Sequence, residues 1–343
     1  MDKVRVCLIG CGRAGMIHAR SYAGGIQGAE LIALCDPNAE ALAAAALETG
    51  TQRTYTDWRR AVEDPLVDAV VVVTPTQYHR QIVAAAAEAK KHVFCEKPMA
   101  STVEECVEME RACRRNGVAL QIGFMRRFDR NFRRGKELLD RGAVGRVTMV
   151  RSNTYGPSKP KEWMFDVHSN YGPIGEVNSH DFDTLRWYAG SEVKMIHAVG
   201  HNFRSPEAKE KYPEYYDTCS ALLEFENGVI GVASGAQYVS YGYDARAEVL
   251  GTDGIIKVGT QHGNDVETAT RDGTVARDGV DSWRTLFREA YLEEDRAFVR
   301  SIREGTEPEV TGRDGRMALL LVQEGLRSIL EKRPVALPRQ TEE

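Results

Sequence analysis

The segment Glu96-Lys97-Pro98 places an amine where chemistry can happen. It follows the apolar run His92-Val93-Phe94-Cys95, which reads as a buried parallel strand, so Lys97 leaves that strand's carboxyl end. Ligands of open α/β sheets bind at that end. Pro98 keeps Lys97 extended, and an ammonium on a rigid strand can hydrogen-bond a substrate oxygen. A second stretch, Gly172 to Asp183, sets Glu176 and His180 four residues apart. On one helix this spacing stacks the two side chains on one face, where the carboxylate can orient the imidazole and raise its basicity. Such a pair suits general-base work near neutral pH. One histidine and one carboxylate without a further ligand pattern predict no metal site.

A third stretch prepares a phosphate site. Val4 to Ile9 reads as a strand ending in Gly10-Cys11-Gly12-Arg13-Ala14-Gly15, with a helix-forming segment after it. In this G-x-G-x-x-G order Gly10 permits the tight turn, Gly12 lets a pyrophosphate approach the backbone, and Gly15 lets the helix pack closely. The phosphates then lie against the helix N-terminus. A second strand, Glu30 to Cys35, ends in Asp36, about 20 residues past the last glycine, as dinucleotide sites require. A carboxylate there accepts the adenosine ribose hydroxyls and repels a 2′-phosphate. Pro37 and Asn38 follow with no adjacent Arg or Lys, so NAD is expected in preference to NADP.

The elements that position these residues follow from patterning. Helical Ala39 to Glu48 and Trp58 to Glu63, strand Val67 to Val73 ending in Thr74-Pro75, and alanine-rich helical Gln81 to Lys90 continue a βαβ winding into the Lys97 strand. Ser101-Thr102-Val103-Glu104 reads as a capping box, Asn116-Gly117 as a helix stop, and Val118 to Ile122 as one more strand. The first domain is expected to cover residues 1–123. Residues 124–343 form a second, α+β domain, with the option that its closing helices pack back on the first. Helical Phe132 to Arg141 leads there into alternating segments at Val147 to Thr154, Val193 to His201, Cys219 to Phe225, Val229 to Val239, Ala245 to Leu250 and Gly254 to Val258. Asn227-Gly228 and Gly251-Thr252-Asp253-Gly254 are hairpin turns between them, so the sheet is expected to be antiparallel. Two helical stretches, Trp283 to Glu304 and Arg313 to Glu331, close the chain.

The bulk numbers exclude several classes. The chain has 343 residues, 42% hydrophobic and 28% charged, with a formal net charge of -5, so no basic field favours nucleic acid. No apolar run reaches membrane-spanning length. Seven cysteines without a C-x-x-C pair read as small buried hydrophobes in a reducing compartment. Nothing resembling a signal peptide precedes the first strand, and the expectation is a cytoplasmic protein.

The ordered set of motifs resembles the glucose-fructose oxidoreductase / inositol dehydrogenase (Gfo/Idh/MocA) family over nearly the whole chain. The matching pieces are Gly10 to Gly15, Thr74-Pro75-Thr76 with His79, Glu96-Lys97-Pro98, Gly123 to Asp129, and His180 with Asp183. The resemblance implies an N-terminal Rossmann domain followed by a domain with a large, mostly antiparallel open sheet. It implies NAD(P)-dependent oxidation of a secondary hydroxyl on a cyclitol or sugar, and homodimers or homotetramers built through the sheet. Met125-Arg126-Arg127-Phe128 looks closest to the inositol dehydrogenase branch. Carried onto this chain, the cofactor contacts are Gly10, Gly12, Arg13, Ala14, Gly15, Asp36, Thr74, Pro75, His79, Glu96 and Lys97. The catalytic set is Lys97, His180 and Glu176, where Glu176 stands in place of the branch's Asp. Substrate contacts are Lys97, Arg126, Tyr155, His168, Asn170, Glu176, His180 and Tyr238, with Tyr171 and Tyr241 as further polar or aromatic candidates. Two rivals accompany this reading: the reverse reaction on a keto-sugar, and a non-catalytic sensor of dinucleotide or sugar, since fold alone does not fix function.

Overall fold

The computed structural model describes residues 3–338. The chain divides into two compact units, Met1–Phe128 with Glu289–Leu319, and Asp129–Arg288 with Leu320–Glu343.

The first unit alternates strand and helix: β1 Val4–Ile9, α1 Gly15–Ala23, β2 Ala29–Cys35, α2 Ala39–Thr49, β3 Arg53–Tyr55, α3 Trp58–Glu63, β4 Ala69–Val72, α4 His79–Glu88, β5 His92–Glu96, α5 Val103–Asn116 and β6 Leu120–Gly123. All strand pairs are parallel, in the order β3-β2-β1-β4-β5-β6. That order is the Rossmann winding, with its switch point between β1 and β4. The central strands are buried on both faces, which is why they read as unbroken apolar runs such as Ala69-Val70-Val71-Val72. One cap sits a residue later than the sequence suggests: Thr102, not Ser101, caps α5 by accepting the Glu105 N–H.

The second unit carries α6 Arg130–Asp140, β7 Val147–Gly156, α7 Val167–Asn170, α8 Gly172–Glu176, α9 Asn178–Ala189, β8 Val193–His201, β9 Thr218–Phe225, β10 Ile230–Gln237, β11 Asp244–Gly251, β12 Ile255–Val258, β13 His262–Ala269, β14 Val275–Gly279 and α10 Trp283–Leu286. The chain then runs through α11 Arg288–Glu304 and α12 Gly312–Glu331 to the short β15 Val335–Ala336. The large sheet has the order β12-β11-β7-β10-β9-β8-β15. It is antiparallel except for β10 beside β7, a parallel pair that turn spotting cannot find because the two strands lie far apart in sequence. Cys219, Ala221, Leu223 and Phe225 share the buried face of β9, as period-two patterning requires.

The compact units divide the chain differently from the expected 1–123 and 124–343: the first runs on through the 3-10 turn Met125–Phe128 and takes in residues 289–319, in line with the option that the closing helices pack back on it. Phe298 of α11 packs edge-on against Phe94 at 5.9 Å, and the Ile122 N–H reaches the Val310 carbonyl at 3.1 Å, so the late segment completes the early sheet's core. The hairpin β13–β14 is also absent from the sequence reading. Its strands are exposed throughout, with no apolar alternation to betray them.

Candidate active site

The glycine loop has the shape that its sequence demands. Gly10 sits at φ +106°, and a Cβ there would come 2.5 Å from the Val73 carbonyl oxygen. A Cβ on Gly15 would meet the Gly10 carbonyl oxygen at 1.8 Å, whereas one on Gly12 meets nothing within 4 Å. The first and third glycines are thus packing requirements, and the second faces open space. No side chain caps the start of α1, which leaves the helix terminus available to an anion. Arg13 is exposed and Ala14 half-buried at that start. Asp36 braces the loop: one carboxylate oxygen accepts the Cys11 N–H at 2.7 Å and the other the Asn38 N–H at 2.8 Å. Each oxygen keeps a lone pair for a ribose hydroxyl. Burial, with the charge of Asp36 beside it, pushes the Cys11 thiol up to about 12, so this cysteine is inert. These features fit a dinucleotide.

Lys97 follows β5, whose last ladder pair is Glu96 with Gly123. The Lys97–Pro98 peptide is cis. Glu96 is nearly buried, and its carboxylate accepts the Lys97 N–H at 2.8 Å. His79, 1% exposed, contacts the Thr74 carbonyl through Nε2 at 2.8 Å and the Pro98 carbonyl through Nδ1 at 3.0 Å. It therefore ties the Thr74-Pro75 loop to the segment after Lys97. Burial lowers its pKa below the usual imidazole range. Arg126 is a buried residue of the turn Met125–Phe128.

In the second unit His180 lies in the first turn of α9 and is 7% exposed. Glu176 is exposed and closes α8, and the helical run is interrupted at Val177, where φ is -109°. The expected single helix under this pair is thus two. What anchors His180 is its neighbour. Asp181 is wholly buried and accepts from the Ser152 hydroxyl, the Thr154 hydroxyl at 2.8 Å and the Asn178 amide at 2.7 Å. Ser152 and Thr154 belong to β7, so the carboxylate nails the start of α9 to the sheet. β10 admits the helix because Gly235 has no side chain; a Cβ there would lie 2.0 Å from the Asn178 Oδ1.

The other substrate candidates have mixed surroundings. His168 is exposed and pairs with Glu214 at 2.6 Å, and the Asn170 amide reaches the Trp163 carbonyl at 2.8 Å. The first contact ties the α7 segment to the one before β9, and the second is local to its own loop. Tyr238 is 40% exposed at φ +59°, with the Lys159 ammonium 5.8 Å from its ring centre. Tyr155 is half-buried on β7, and Tyr241 is exposed with its hydroxyl 3.4 Å from Asp244. The Tyr171 hydroxyl accepts from Gln323 at 3.0 Å.

A parallel doubly wound sheet with this glycine loop defines a dinucleotide-binding oxidoreductase unit. Residues 4–124 match the oxidoreductase family with an NAD-binding Rossmann fold, and residues 132–257 match the Gfo/Idh/MocA C-terminal domain. The chain belongs to the Gfo/Idh/MocA oxidoreductase family. It is 34% identical to a myo-inositol 2-dehydrogenase of Thermotoga maritima over 97% of this chain and 98% of that protein. A scyllo-inositol 2-dehydrogenase (NAD(+)) of Bacillus subtilis is 32% identical over 92% of this chain and 91% of its own. Among solved structures, scyllo-inositol dehydrogenase from Lactobacillus casei with bound NAD(H) and scyllo-inositol superposes with a TM-score of 0.89. Its identity is 27%, covering 97% of this chain and 99% of that one.

Sequence reasoning missed Asp181, Ser152, Thr154 and Asn178. Asp181 and Asn178 lie on a helix that is buried nearly throughout, and their partners Ser152 and Thr154 come from the distant β7, so no contiguous motif marks the group. No helix among the described residues is long and apolar enough to cross a membrane.

Proposed function

We propose that this protein is an NAD-dependent dehydrogenase that oxidises a secondary ring hydroxyl of a cyclitol such as an inositol. The observation that carries the proposal is the family membership, and the resemblance gives the reacting roles to Lys97 and His180. NAD supplies the hydride acceptor when bound. Gly10, Gly12, Arg13, Ala14 and Gly15 would cradle its pyrophosphate, Asp36 its adenosine ribose, and the Thr74-Pro75 loop held by His79 would line its path. Lys97 donates a hydrogen bond to the substrate oxygen, and His180 takes the hydroxyl proton as the carbonyl forms. Glu176 contacts a neighbouring hydroxyl. Arg126, Tyr155 and Tyr238 are further polar and aromatic candidates for substrate contact, with His168 and Asn170 acting through the order of their segment. The same groups run the reduction of a keto-cyclitol when metabolite levels favour it.

The seven thiols are unpaired and buried, which supports a reducing compartment, the cytoplasm. Val199, Leu222, Ile230, Leu250 and Ile255 are each more than two-fifths exposed and, by strand register, share the open face of the large sheet. An apolar face of that kind supports assembly into a homodimer or homotetramer.

The test is a spectrophotometric screen of NAD and NADP reduction across inositol isomers, aldoses and uronates. Turnover on an inositol with NAD preferred is the expected result. NAD binding without turnover on any substrate would instead identify a sensor, and equal or tighter NADP binding would refute the role given to Asp36.

A further inference from the structure

A buried polar cluster in the first unit adjoins Lys97, and the chemistry above makes no use of it. His18 of α1 is wholly buried between Phe94, 5.0 Å away and tilted, and Tyr291, 5.6 Å away and edge-on. Its Nδ1 lies 2.8 Å from an Asp295 carboxylate oxygen, and its Nε2 lies 3.3 Å from Glu96 Oε1. Glu96 Oε2 in turn accepts the Lys97 N–H at 2.8 Å. An unbroken chain of polar contacts thus runs from α11 through α1 to the backbone of Lys97.

Both ring nitrogens face carboxylate oxygens, so an imidazolium donating from each side satisfies the arrangement. Burial opposes that charge, but Asp295 and Glu96 outweigh it and hold the His18 pKa well above the usual imidazole range. A fourth group shares the cluster. Glu294 is wholly buried, and among the described residues neither of its carboxylate oxygens has a hydrogen-bond partner. Burial and the charge of Glu96 push its carboxyl well above the usual range, so it stays neutral.

The β5–β6 ladder ends at Glu96, and at the next residue the Glu96 side chain accepts the Lys97 N–H. Room for it comes from Gly123 opposite, where a Cβ would come 2.9 Å from the Glu96 carboxyl carbon.

We propose that Asp295, His18 and Glu96 are positioning residues that fix the Lys97 backbone, and with it the root of the lysine side chain. The proposal rests on the role given to Lys97 above. His18, Glu96 and Glu294 also have donor atoms within 4.8 Å of one another, close enough to share a cation. The two arrangements differ in the proton on Nε2, which a metal would displace.

The experiment uses the full-length enzyme with His18→Gln, Asp295→Asn and Lys97→Ala. Steady-state kinetics on an inositol, calorimetric NAD affinity, metal analysis and nitrogen NMR of histidine-labelled protein are its readouts. Each of the two positioning variants should lower kcat roughly tenfold or more, as misplacement of a reacting group does, with NAD affinity changed less than about threefold. One imidazole in the unmodified protein should carry protons on both nitrogens at about pH 8, well above its ordinary range. Asp295→Asn and the NMR signal decide the matter if His18→Gln does not fold. Wild-type kcat in Asp295→Asn, a neutral His18 ring, or stoichiometric bound metal would overturn the proposal. Loss of turnover in Lys97→Ala with full kcat in the positioning variants sinks this inference alone, whereas normal turnover in Lys97→Ala sinks the reading of Lys97 itself.

Discussion

Lys97 and His180 are each supported through the carboxylate of a sequence neighbour, but the two supports are built differently. Behind Lys97, Glu96 belongs to a cluster with an imidazole and two further acids, all buried. Beside His180, Asp181 is held by two hydroxyls and an amide, none of which titrates. The first support depends on where protons sit. The second depends on donor geometry, and the difference gives each a separate way to fail.

The largest effect is expected at the tip of the first support. Lys97→Ala should lower kcat by roughly a hundredfold or more, the usual cost of losing a positioned proton donor. NAD affinity should hold, because the role proposed for the ammonium is on the substrate oxygen in the transition state. Parallel measurements of kcat and NAD affinity check this. Normal turnover with weakened NAD binding would make Lys97 a cofactor anchor.

Breaking the second support should act on stability first. Asp181→Ala leaves the Ser152 and Thr154 hydroxyls and the Asn178 amide without their buried acceptor, at a cost of about 3 kcal/mol. Urea unfolding measures the loss, and turnover should fall in the folded fraction because the first turn of α9 is no longer pinned to β7. Asp181→Asn keeps one acceptor oxygen and should lose less. A stability change below about 0.5 kcal/mol for Asp181→Ala, the range of ordinary surface substitutions, would show that the anchor contributes little.

Two buried histidines sharpen the contrast in protons. Burial lowers the His79 pKa against the opposing pull of the carbonyls it faces, so the unfolded chain binds the proton more readily, and stability falls as pH drops below about 6.5. His18 faces carboxylates and its pKa is raised. Its contribution is full below about 6.5 and is lost as pH rises toward the folded-state value. Stability should therefore decline on both sides, with a slope of at most about 1.4 kcal/mol per pH unit for each proton. His18→Gln should flatten the alkaline side and leave the acid side in place. An unchanged alkaline slope in that variant would show that another group sets it.

The same contrast explains what the sequence made legible. The Rossmann winding was readable because the strands other than the short, largely exposed β3 are apolar runs that lead into a glycine, an acid or a proline, and period-two alternation found the long strands of the second sheet. Lys97, His180 and the glycine loop stood out because their motifs are contiguous. The supports did not, since His18 and Asp295 lie 277 residues apart and Ser152 and Asp181 lie 29 apart. A faint trace exists in α11, where Glu294 and Asp295 fall between the buried Tyr291 and Phe298 at helical spacing, acids where a core helix wants apolar residues. The return of residues 289–319 to the first unit was open in the sequence only as an option, because Phe298 reads as a core residue without saying of which core.

The smallest effect is expected at Glu176, which the family resemblance sets in place of an Asp. The four-residue spacing suggested that Glu176 orients His180, but the helical run is interrupted at Val177, with Glu176 exposed and His180 buried. A carboxylate at the exposed end of α8 suits contact with a substrate hydroxyl better than alignment of a buried ring. Glu176→Asp withdraws the carboxylate by one methylene, so it should raise KM for the preferred inositol by roughly threefold to tenfold. With kcat nearly constant, that is the pattern of lost ground-state binding. Preference among isomers should shift with it, because the contact reads a hydroxyl beside the reacting one. A fall in kcat at constant KM would return Glu176 to the role of orienter, and an unchanged profile across several polyols would remove it from the site.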